Sequence, residues 1–248
     1  EQRAAAQDPA REVLCLACAG SGKSRTLAFR IAYLIARGQS PSGIVAFTFT
    51  EKAADAIKRQ VAKALDAVGI EPTVLGAVFI GTIHSYCQHV LTQMDVRYRQ
   101  FDVLDDNRLK LYLISRYYEL GLHSLQNARN ARYFDTVKET ANAWKTMNDE
   151  LIPMTDVEKR DKELGRVLTT LKEHLDRDQF IDFSLMVRLV VEALQRKDPG
   201  ALRVLSQVDQ LMVDEYQDVN RSQEELIRGL HGLGCSLCVV GDDDQAIY

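Results

Sequence analysis

Short apolar runs alternate along the chain with stretches of helical spacing. Residues 13–16 form an apolar run and residues 44–49 a longer one rich in β-branched and aromatic side chains, so both predict buried strands. After each run, apolar side chains recur three or four positions apart, which predicts helices over residues 26–37 and 51–69. Further strands are predicted at residues 74–80, 211–213 and 237–240. Strands alternating with helices predict a parallel sheet with helices on both faces.

The alternation stops between residues 95 and 178, where the pattern predicts helices and no strand. The predicted helices cover residues 105–120, 131–148 and 155–176. The last of them pairs an apolar stripe with interleaved charges of both signs, which is typical of a packed helix with a solvated outer face. We therefore expect an α/β domain formed by residues 1–94 and 179–248. It is interrupted by an all-helical insertion subdomain, residues 95–178, with its own small core.

The composition excludes some classes of function but does not identify the function. The 248 residues are 46% hydrophobic and 27% charged, which is ordinary for a globular protein with a sizeable core. A net charge of −4 at pH 7 excludes a uniformly basic coat, so any contact with nucleic acid must be local. We expect no membrane span and no signal peptide. The chain lacks an initiating Met and stops directly after a motif, so we expect it to be a piece of a longer protein.

Four of the five cysteines form two pairs with two intervening residues, Cys15 with Cys18 and Cys235 with Cys238. This spacing occurs in zinc sites. We favour buried thiols instead, because Cys15, Cys235 and Cys238 lie in predicted strands, where residues three apart point to opposite faces.

The most specific chemical signal follows the first predicted strand. Four residues separate Ala17 from Gly22, Lys23 and Ser24, which is the spacing of a phosphate-binding loop with Ala in place of the first glycine. Gly20 and Gly22 let backbone N–H groups turn inward at a helix N-terminus and form an anion nest. Lys23 adds a mobile positive charge for the β- and γ-phosphates, and the Ser24 hydroxyl is a ligand suited to Mg²⁺.

Two acidic strand ends complete the predicted site. Asp214 and Glu215 follow the strand at residues 211–213, and open α/β sheets bind ligands at such carboxyl ends. Asp214 is therefore predicted to hold Mg²⁺, and Glu215 to orient a water for attack on the γ-phosphate. The strand at residues 237–240 is followed by three acids and Gln245, a neutral side chain suited to the γ-phosphate or the attacking water.

In their order and in their residues, these motifs resemble those of superfamily 1 helicases of the UvrD/Rep/PcrA branch. The matching stretches are residues 1–3, 16–25, 46–54, 81–84, 182–183, 213–220 with Gln223, and 240–248. The resemblance implies a RecA-like ATP-binding domain, called 1A in this family, with the helical insertion as subdomain 1B. It implies an ATP-dependent DNA helicase or translocase, and the Gly-Asp-Asp-Asp-Gln sequence at residues 241–245 is similar to the 3′→5′ branch.

The resemblance also assigns roles at the nucleotide. Gln2 matches a glutamine that reads adenine, and Arg25 matches an arginine that stacks on it. The implied ATP contacts are Gln2, Ala19, Gly20, Ser21, Gly22, Lys23, Ser24 and Arg25. The implied metal ligands are Ser24 and Asp214, and the implied catalytic residues are Lys23, Asp214, Glu215 and Gln245.

Single-stranded DNA is the implied substrate, together with junctions between single and double strands. The implied contacts are Thr48, Phe49, Lys52, Thr82, His84 and Tyr248. Stacking of bases on Phe49 and Tyr248 would be sequence-tolerant, as a translocase requires. Three of these residues have simpler interpretations: Phe49 as a core residue, His84 as a helix-start residue and Lys52 as a solvated first-turn charge.

Two departures from the family pattern stand out. Cys18 replaces the usual glycine, and Ser184 follows Asp182 and Phe183 where acids are common, so we assign Ser184 no role. The arginines that neutralise the transition state belong to a second RecA-like domain, which would lie beyond Tyr248. We therefore expect that domain as a partner and little ATP turnover from these residues alone. The expected location is the bacterial cytoplasm, at the nucleoid.

Two alternatives stay open. The chain could be the motor of a helicase–nuclease in recombination or phage defence, or a nucleotide-regulated DNA-binding module that never translocates. A P-loop kinase is disfavoured, because the sequence shows neither an acceptor site nor a lid.

Overall fold

The computed structural model describes residues 2–16, 18 and 21–242. Its strands are β1 Glu12–Leu16, β2 Ile44–Thr48, β3 Phe79–Thr82, β4 Asp102–Leu104, β5 Phe180–Asp182, β6 Gln210–Val213 and β7 Ser236–Gly241. Five of them form one sheet in the order β1-β7-β6-β2-β3, and every pairing in it is parallel. The predicted parallel sheet is therefore confirmed, and all its carboxyl ends lie at one edge.

Helices connect the strands and cover both faces of the sheet. They are α1 Gln2–Gln7, α2 Lys23–Ala36, α3 Glu51–Asp66, α4 Ile83–Met94, α5 Asp106–Ser115, α6 Leu122–Arg129, α7 Tyr133–Asp149, α8 Met154–Arg160, α9 Lys162–Arg177, α10 Phe183–Gln195, α11 Pro199–Leu205 and α12 Arg221–Gly232. Within the described ranges, none of them has both the length and the apolar composition that a bilayer crossing requires.

Successive side chains of the central strands point to opposite faces of the sheet, so the hydrophobic core has one part on each face. In β2, Ile44 and Ala46 pack with the residues of α2 and α3, whereas Val45 and Phe47 belong to the cluster on the other face. All five residues of β2 are buried, which is why this strand reads as a continuous apolar run. The helix after β2 starts as predicted, because the Thr50 hydroxyl accepts a hydrogen bond from the backbone N–H of Ala53.

Two predicted boundaries next to the sheet were wrong. Residues Pro72–Ala77 form a 3₁₀ helix, and the strand expected at residues 74–80 is instead β3, Phe79–Thr82. Pro72 is typical of the first turn of a helix, but the apolar residues that follow it suggested a strand instead. The helix expected to begin at Thr26 begins at Lys23, directly after Gly22.

The insertion is not all-helical, as the sequence had suggested. Strand β4 lies inside it and pairs in parallel with β5 to form a small second sheet. A strand of three residues is too short to show a periodic pattern. The helices also differ from the expected ones. The helix expected over residues 105–120 is α5, which ends at Ser115, and α6 was not predicted. The stretch at residues 155–176 breaks at Asp161, whose side chain caps α9 by accepting from Leu164 N–H.

The expected separate core of the insertion was also wrong. One hydrophobic cluster runs from Phe47 and Val213 in the sheet, through α4 and α10, to Trp144 and Leu168 in the insertion. Trp144 and Leu168 are fully buried within it. Because the apolar contacts continue across the junction, they hold the insertion against this face of the sheet.

Candidate nucleotide site and the adjoining cleft

Residues that are far apart in the sequence meet at the carboxyl edge of the sheet. Ser24, in the first turn of α2, donates a hydrogen bond of 2.8 Å from its hydroxyl to Oδ2 of Asp214, the residue that follows β6. These residues are 190 positions apart in sequence. The expected convergence of the phosphate loop with the first acidic strand end is therefore present in the fold.

Lys23 lies between two acids at the same edge. Its Nζ is 3.5 Å from Oε2 of Glu215 and 3.4 Å from Oδ2 of Asp242, which follows β7. Lys23 and Asp242 are both buried, so the positive charge is neutralised by carboxylates rather than by water. A triphosphate entering here would compete with these carboxylates for the lysine.

Gly22, the residue directly before Lys23, has a left-handed backbone conformation, which is one element of a phosphate nest. Gly22 has φ of +89° and ψ of +29°, a left-handed conformation that favours glycine, and it caps α2 without a side-chain bond. The α2 N-terminus therefore presents backbone N–H groups and the positive end of a helix dipole to the site.

Asp214 is held so that its carboxylate faces the loop. Its backbone N–H bonds the carbonyl of Phe47 at 2.9 Å, and its Oδ1 accepts from the backbone N–H of Glu215 at 3.1 Å. Burial raises the pKa of Asp214 above its ordinary value, and the hydrogen bond from Ser24 partly opposes this shift. A hydroxyl and a carboxylate 2.8 Å apart are hard oxygen donors that fit Mg²⁺.

A second cavity lies beside the nucleotide site, between the sheet edge and the insertion. This cleft has a volume of about 540 Å³ and is bounded by the loop after β2, the starts of α4, α10 and α12, and helices α5 and α7. Phe49, His84 and Phe183 line it, and the ring centroids of His84 and Phe183 are 5.0 Å apart. Phe49 is 59% exposed, which rules out its interpretation as a core residue.

Polar side chains of both signs complete the cleft wall. Lys145 and Asp149 on α7 face it, together with Asp218 and Asn220 of the segment that follows Glu215. Burial and the charge of Lys145 lower the pKa of His84 from its ordinary value, so it is largely neutral at pH 7. The same short segment thus contributes to the nucleotide site at one end and to the cleft at the other.

Sequence reasoning assigned no role to Phe183, although the structure places it in the cleft. Its position depends on Asp182, which is buried and caps α10 by accepting from the backbone N–H groups of Ser184 and Leu185. The indole N–H of Trp144 donates to the other carboxylate oxygen at 2.6 Å. An Asp at the start of a helical pattern is a signal that could have indicated the cap, but the partner from the insertion could not be seen in the sequence.

A protein-family model described as the UvrD/REP helicase N-terminal domain matches residues 1–248. This chain belongs to that family. Proteins described as ATP-dependent DNA helicase PcrA, from Staphylococcus aureus and Staphylococcus epidermidis, are each 30% identical to it over 252 residues. The alignments cover 100% of this chain and 33% of each relative, so the chain spans about a third of the length of the curated relatives it matches. The family resemblance drawn from the motifs is confirmed.

Within this UvrD/REP domain, the two residues expected at adenine lie beside the phosphate loop. The side-chain amide of Gln2 donates to the carbonyl of Ser21, and a Cβ on Gly22 would lie 2.7 Å from Gln2 Nε2. The Arg25 guanidinium carbon is 5.2 Å from the ring centroid of Phe29. Their contacts with adenine stay predictions.

The remaining residues expected on the DNA path differ in their surroundings. Thr48 is buried, and its hydroxyl donates to the carbonyl of Thr50, two positions along the chain, at 3.1 Å. Thr82 caps α4 and also donates to Glu51 at 3.1 Å. Lys52 is exposed in the first turn of α3. Four further predicted residues, Ala19, Gly20, Gln245 and Tyr248, lie outside the described residues.

The expectation that the cysteines do not bind zinc stays a prediction. In the described part of the chain, no group of three or more His, Cys, Asp or Glu side chains could hold a metal ion. Cys15 instead faces Cys238 on the neighbouring strand, and burial raises the pKa of both thiols, that of Cys238 to about 12. Cys235 precedes β7 rather than lying within it, which corrects its predicted placement.

Proposed function

We propose that this chain is the first motor domain of an ATP-dependent DNA helicase or translocase that moves 3′→5′ along single-stranded DNA. The contact between Ser24 and Asp214 is the observation that carries this proposal, because it joins a phosphate loop to an acidic strand end at one site. The names of the PcrA relatives support ATP as the nucleotide and DNA as the partner.

In this proposal each side chain has one task at the nucleotide. The α2 N-terminus and Lys23 bind the phosphates, and Lys23 leaves its two carboxylate partners to do so. Ser24 and Asp214 would hold Mg²⁺, which supplies charge neutralisation on the β- and γ-phosphates when bound. Glu215 orients the attacking water, and Gln245 contacts the γ-phosphate or that water.

The cleft beside the nucleotide site is the proposed path of the single strand. Phe49 offers a largely exposed ring, and Phe183 and His84 form a second aromatic surface opposite the insertion. Aromatic rings bind bases without selecting among them, which suits movement along arbitrary sequence. We propose Lys52, Thr82 and Tyr248 as further contacts with the strand. Thr48 is the least exposed of the described candidates.

Movement requires a second RecA-like domain, and we propose that it closes over this site from the same parent chain. The proposed divisions are residues 1–94 and 179–248 as domain 1A and residues 95–178 as subdomain 1B. Opening and closing of the cleft between the two motor domains would couple hydrolysis to stepping. We propose a nucleoid-associated role at strand junctions during DNA repair, and little ATP turnover by residues 1–248 alone.

A Glu215→Gln substitution in the full-length parent protein tests this proposal. ATP binding should be retained while DNA-stimulated turnover and unwinding are lost, because the amide cannot accept a proton from the attacking water. The matched control is Glu173→Gln at an exposed position of α9. Duplexes with a 3′ or a 5′ tail test polarity, and unwinding from the 5′ tail alone contradicts the proposed direction. If Glu215→Gln keeps its DNA-stimulated turnover, the proposed chemistry is wrong.

A further inference from the structure

Gln217 links the ends of the two central strands at the nucleotide site. Its amide nitrogen Nε2 donates to Oε2 of Glu215 at 2.7 Å, and its Oε1 accepts from the backbone N–H of Asp242 at 3.1 Å. Glu215 follows β6 and Asp242 follows β7, so one side chain uses both ends of its amide to bridge them. A carboxamide can do this because its nitrogen donates and its oxygen accepts, while the group as a whole carries no charge.

The position of this amide leaves little free space. A Cβ placed on Gly241 would lie 3.1 Å from Gln217 Oε1, a distance tighter than most carbon contacts allow. Gly241 is the last residue of β7 and is buried. The absence of a side chain at Gly241 therefore lets the Gln217 carbonyl approach the strand end closely enough to bond Asp242.

Both the backbone conformation and the carboxylate of Glu215 depend on contacts with neighbouring residues. Its φ of +51° lies in the left-handed region, which is uncommon for a residue other than glycine. The carboxylate is about a third exposed, and its Oε2 is shared between Gln217 at 2.7 Å and Lys23 at 3.5 Å. When Lys23 turns to a phosphate, Gln217 is the contact that still fixes this oxygen.

We propose that Gln217 is a positioning residue for hydrolysis, which keeps the Glu215 carboxylate in place once Lys23 binds phosphate. The same amide ties Glu215 to the backbone of Asp242, so the end of β7 and the water-orienting acid are held in fixed relation. This inference rests on the proposed function, because it takes Glu215 as the residue that orients the water. Gln217 itself touches neither the nucleotide nor the water in this scheme.

The decisive readout is the separation of kcat from ATP affinity in the full-length parent protein. Gln217→Ala should lower kcat on the order of 10²-fold, the cost of a catalytic group misplaced by about 1 Å, while changing ATP affinity by less than about threefold. Gln207→Ala, at an exposed position on the far side of β6, is the matched control. Gly241→Ala should produce a smaller loss of the same kind, because it displaces the Gln217 carbonyl without removing it.

A double-mutant cycle distinguishes positioning from general support of the fold. In a Glu215→Gln background, Gln217→Ala should cause almost no further loss in single-turnover rate, because its effect acts through Glu215. A loss that adds in full to that of Glu215→Gln overturns the inference. So does a kcat for Gln217→Ala within about threefold of the unmodified protein, or a fall in ATP affinity as large as the fall in kcat.

The outcomes also separate this inference from the function it rests on. If Glu215→Gln is inactive while Gln217→Ala is normal, only the positioning role is wrong. If Glu215→Gln itself turns over normally, the proposed function fails first. Denaturant unfolding of each variant shows whether a change in rate reflects lost structure.

Discussion

Trp144 donates its indole N–H to Oδ2 of Asp182 at 2.6 Å, and both side chains are buried. Trp144 belongs to α7 of the insertion, whereas Asp182 ends β5 and caps α10. The bond therefore joins the insertion to the turn that presents Phe183 to the cleft. A tryptophan in the core usually needs such a partner for its N–H group.

Trp144→Phe is expected to lower the free energy of unfolding by about 1–3 kcal/mol, because it removes the donor to a buried carboxylate oxygen. Urea unfolding followed by circular dichroism measures the change. Phe134→Leu, at a 73% exposed position in the same helix, is the control and should have little effect. Equal losses of unfolding free energy in the two variants would show that the hydrogen bond from Trp144 to Asp182 contributes no more to stability than an exposed contact does.

Phe49→Ala and Phe183→Ala should each weaken binding of single-stranded DNA by about 1–3 kcal/mol, the range for loss of one stacked base. ATP affinity should not change, because both rings line the cleft, whose walls include none of the described phosphate-loop residues. Fluorescence anisotropy with a labelled oligothymidine at fixed salt measures the affinity. Phe134→Ala removes an exposed ring outside the cleft and serves as the control; a loss there as large as at Phe49 would argue against the proposed path.

Burial raises the pKa of Asp149 to about 6, so the folded protein binds this proton more tightly than the unfolded chain does. The stability linked to Asp149 is therefore complete below pH ~4 and is lost as the pH rises through about 6. Asp149→Asn should increase the free energy of unfolding at pH 7 by about 1 kcal/mol, a value reduced for solvent screening, and by almost nothing near pH 4. Glu173→Gln, at an exposed position of α9, controls for the change in net charge.

Asp214→Asn should reduce ATP turnover in the full-length protein by on the order of 10²-fold or more and raise the Mg²⁺ concentration needed for half-maximal rate. The neutral amide is a poorer ligand for a hard cation than the carboxylate. Asp209→Asn, which changes an exposed acid before the other end of β6, is the control for charge. An unchanged Mg²⁺ dependence for Asp214→Asn would remove this residue from the metal site.

The sheet could be predicted from the sequence because the signals for its strands and helices each lie within a short stretch of the chain. The apolar run of β2 and the helical spacing that begins at residue 51 each lie within a few residues, and both appear in the structure as expected. The spacing around Lys23 likewise predicted a loop before a helix. Strand β4 could not be predicted, because three residues with one buried side chain carry no periodic signal.

The contacts that complete the site depend on how strands are ordered, which no single stretch encodes. Gln217 reaches Asp242 only because β6 and β7 are neighbours in the sheet. Asp161 reads as one more polar residue in a helical stretch, yet α8 ends before it and its side chain caps α9. Phe183 likewise enters the cleft through a cap whose second partner is Trp144, 38 positions earlier in the chain.

A crystal structure of this chain with Mg²⁺ and a non-hydrolysable ATP analogue tests the central claim most directly. The account predicts Lys23 Nζ within hydrogen-bond distance of the β- or γ-phosphate and away from Glu215 and Asp242. It also predicts the metal between the Ser24 hydroxyl and Asp214, directly or through one water. A nucleotide bound elsewhere, or one bound here with Lys23 still paired to both carboxylates and no metal near Asp214, would contradict it.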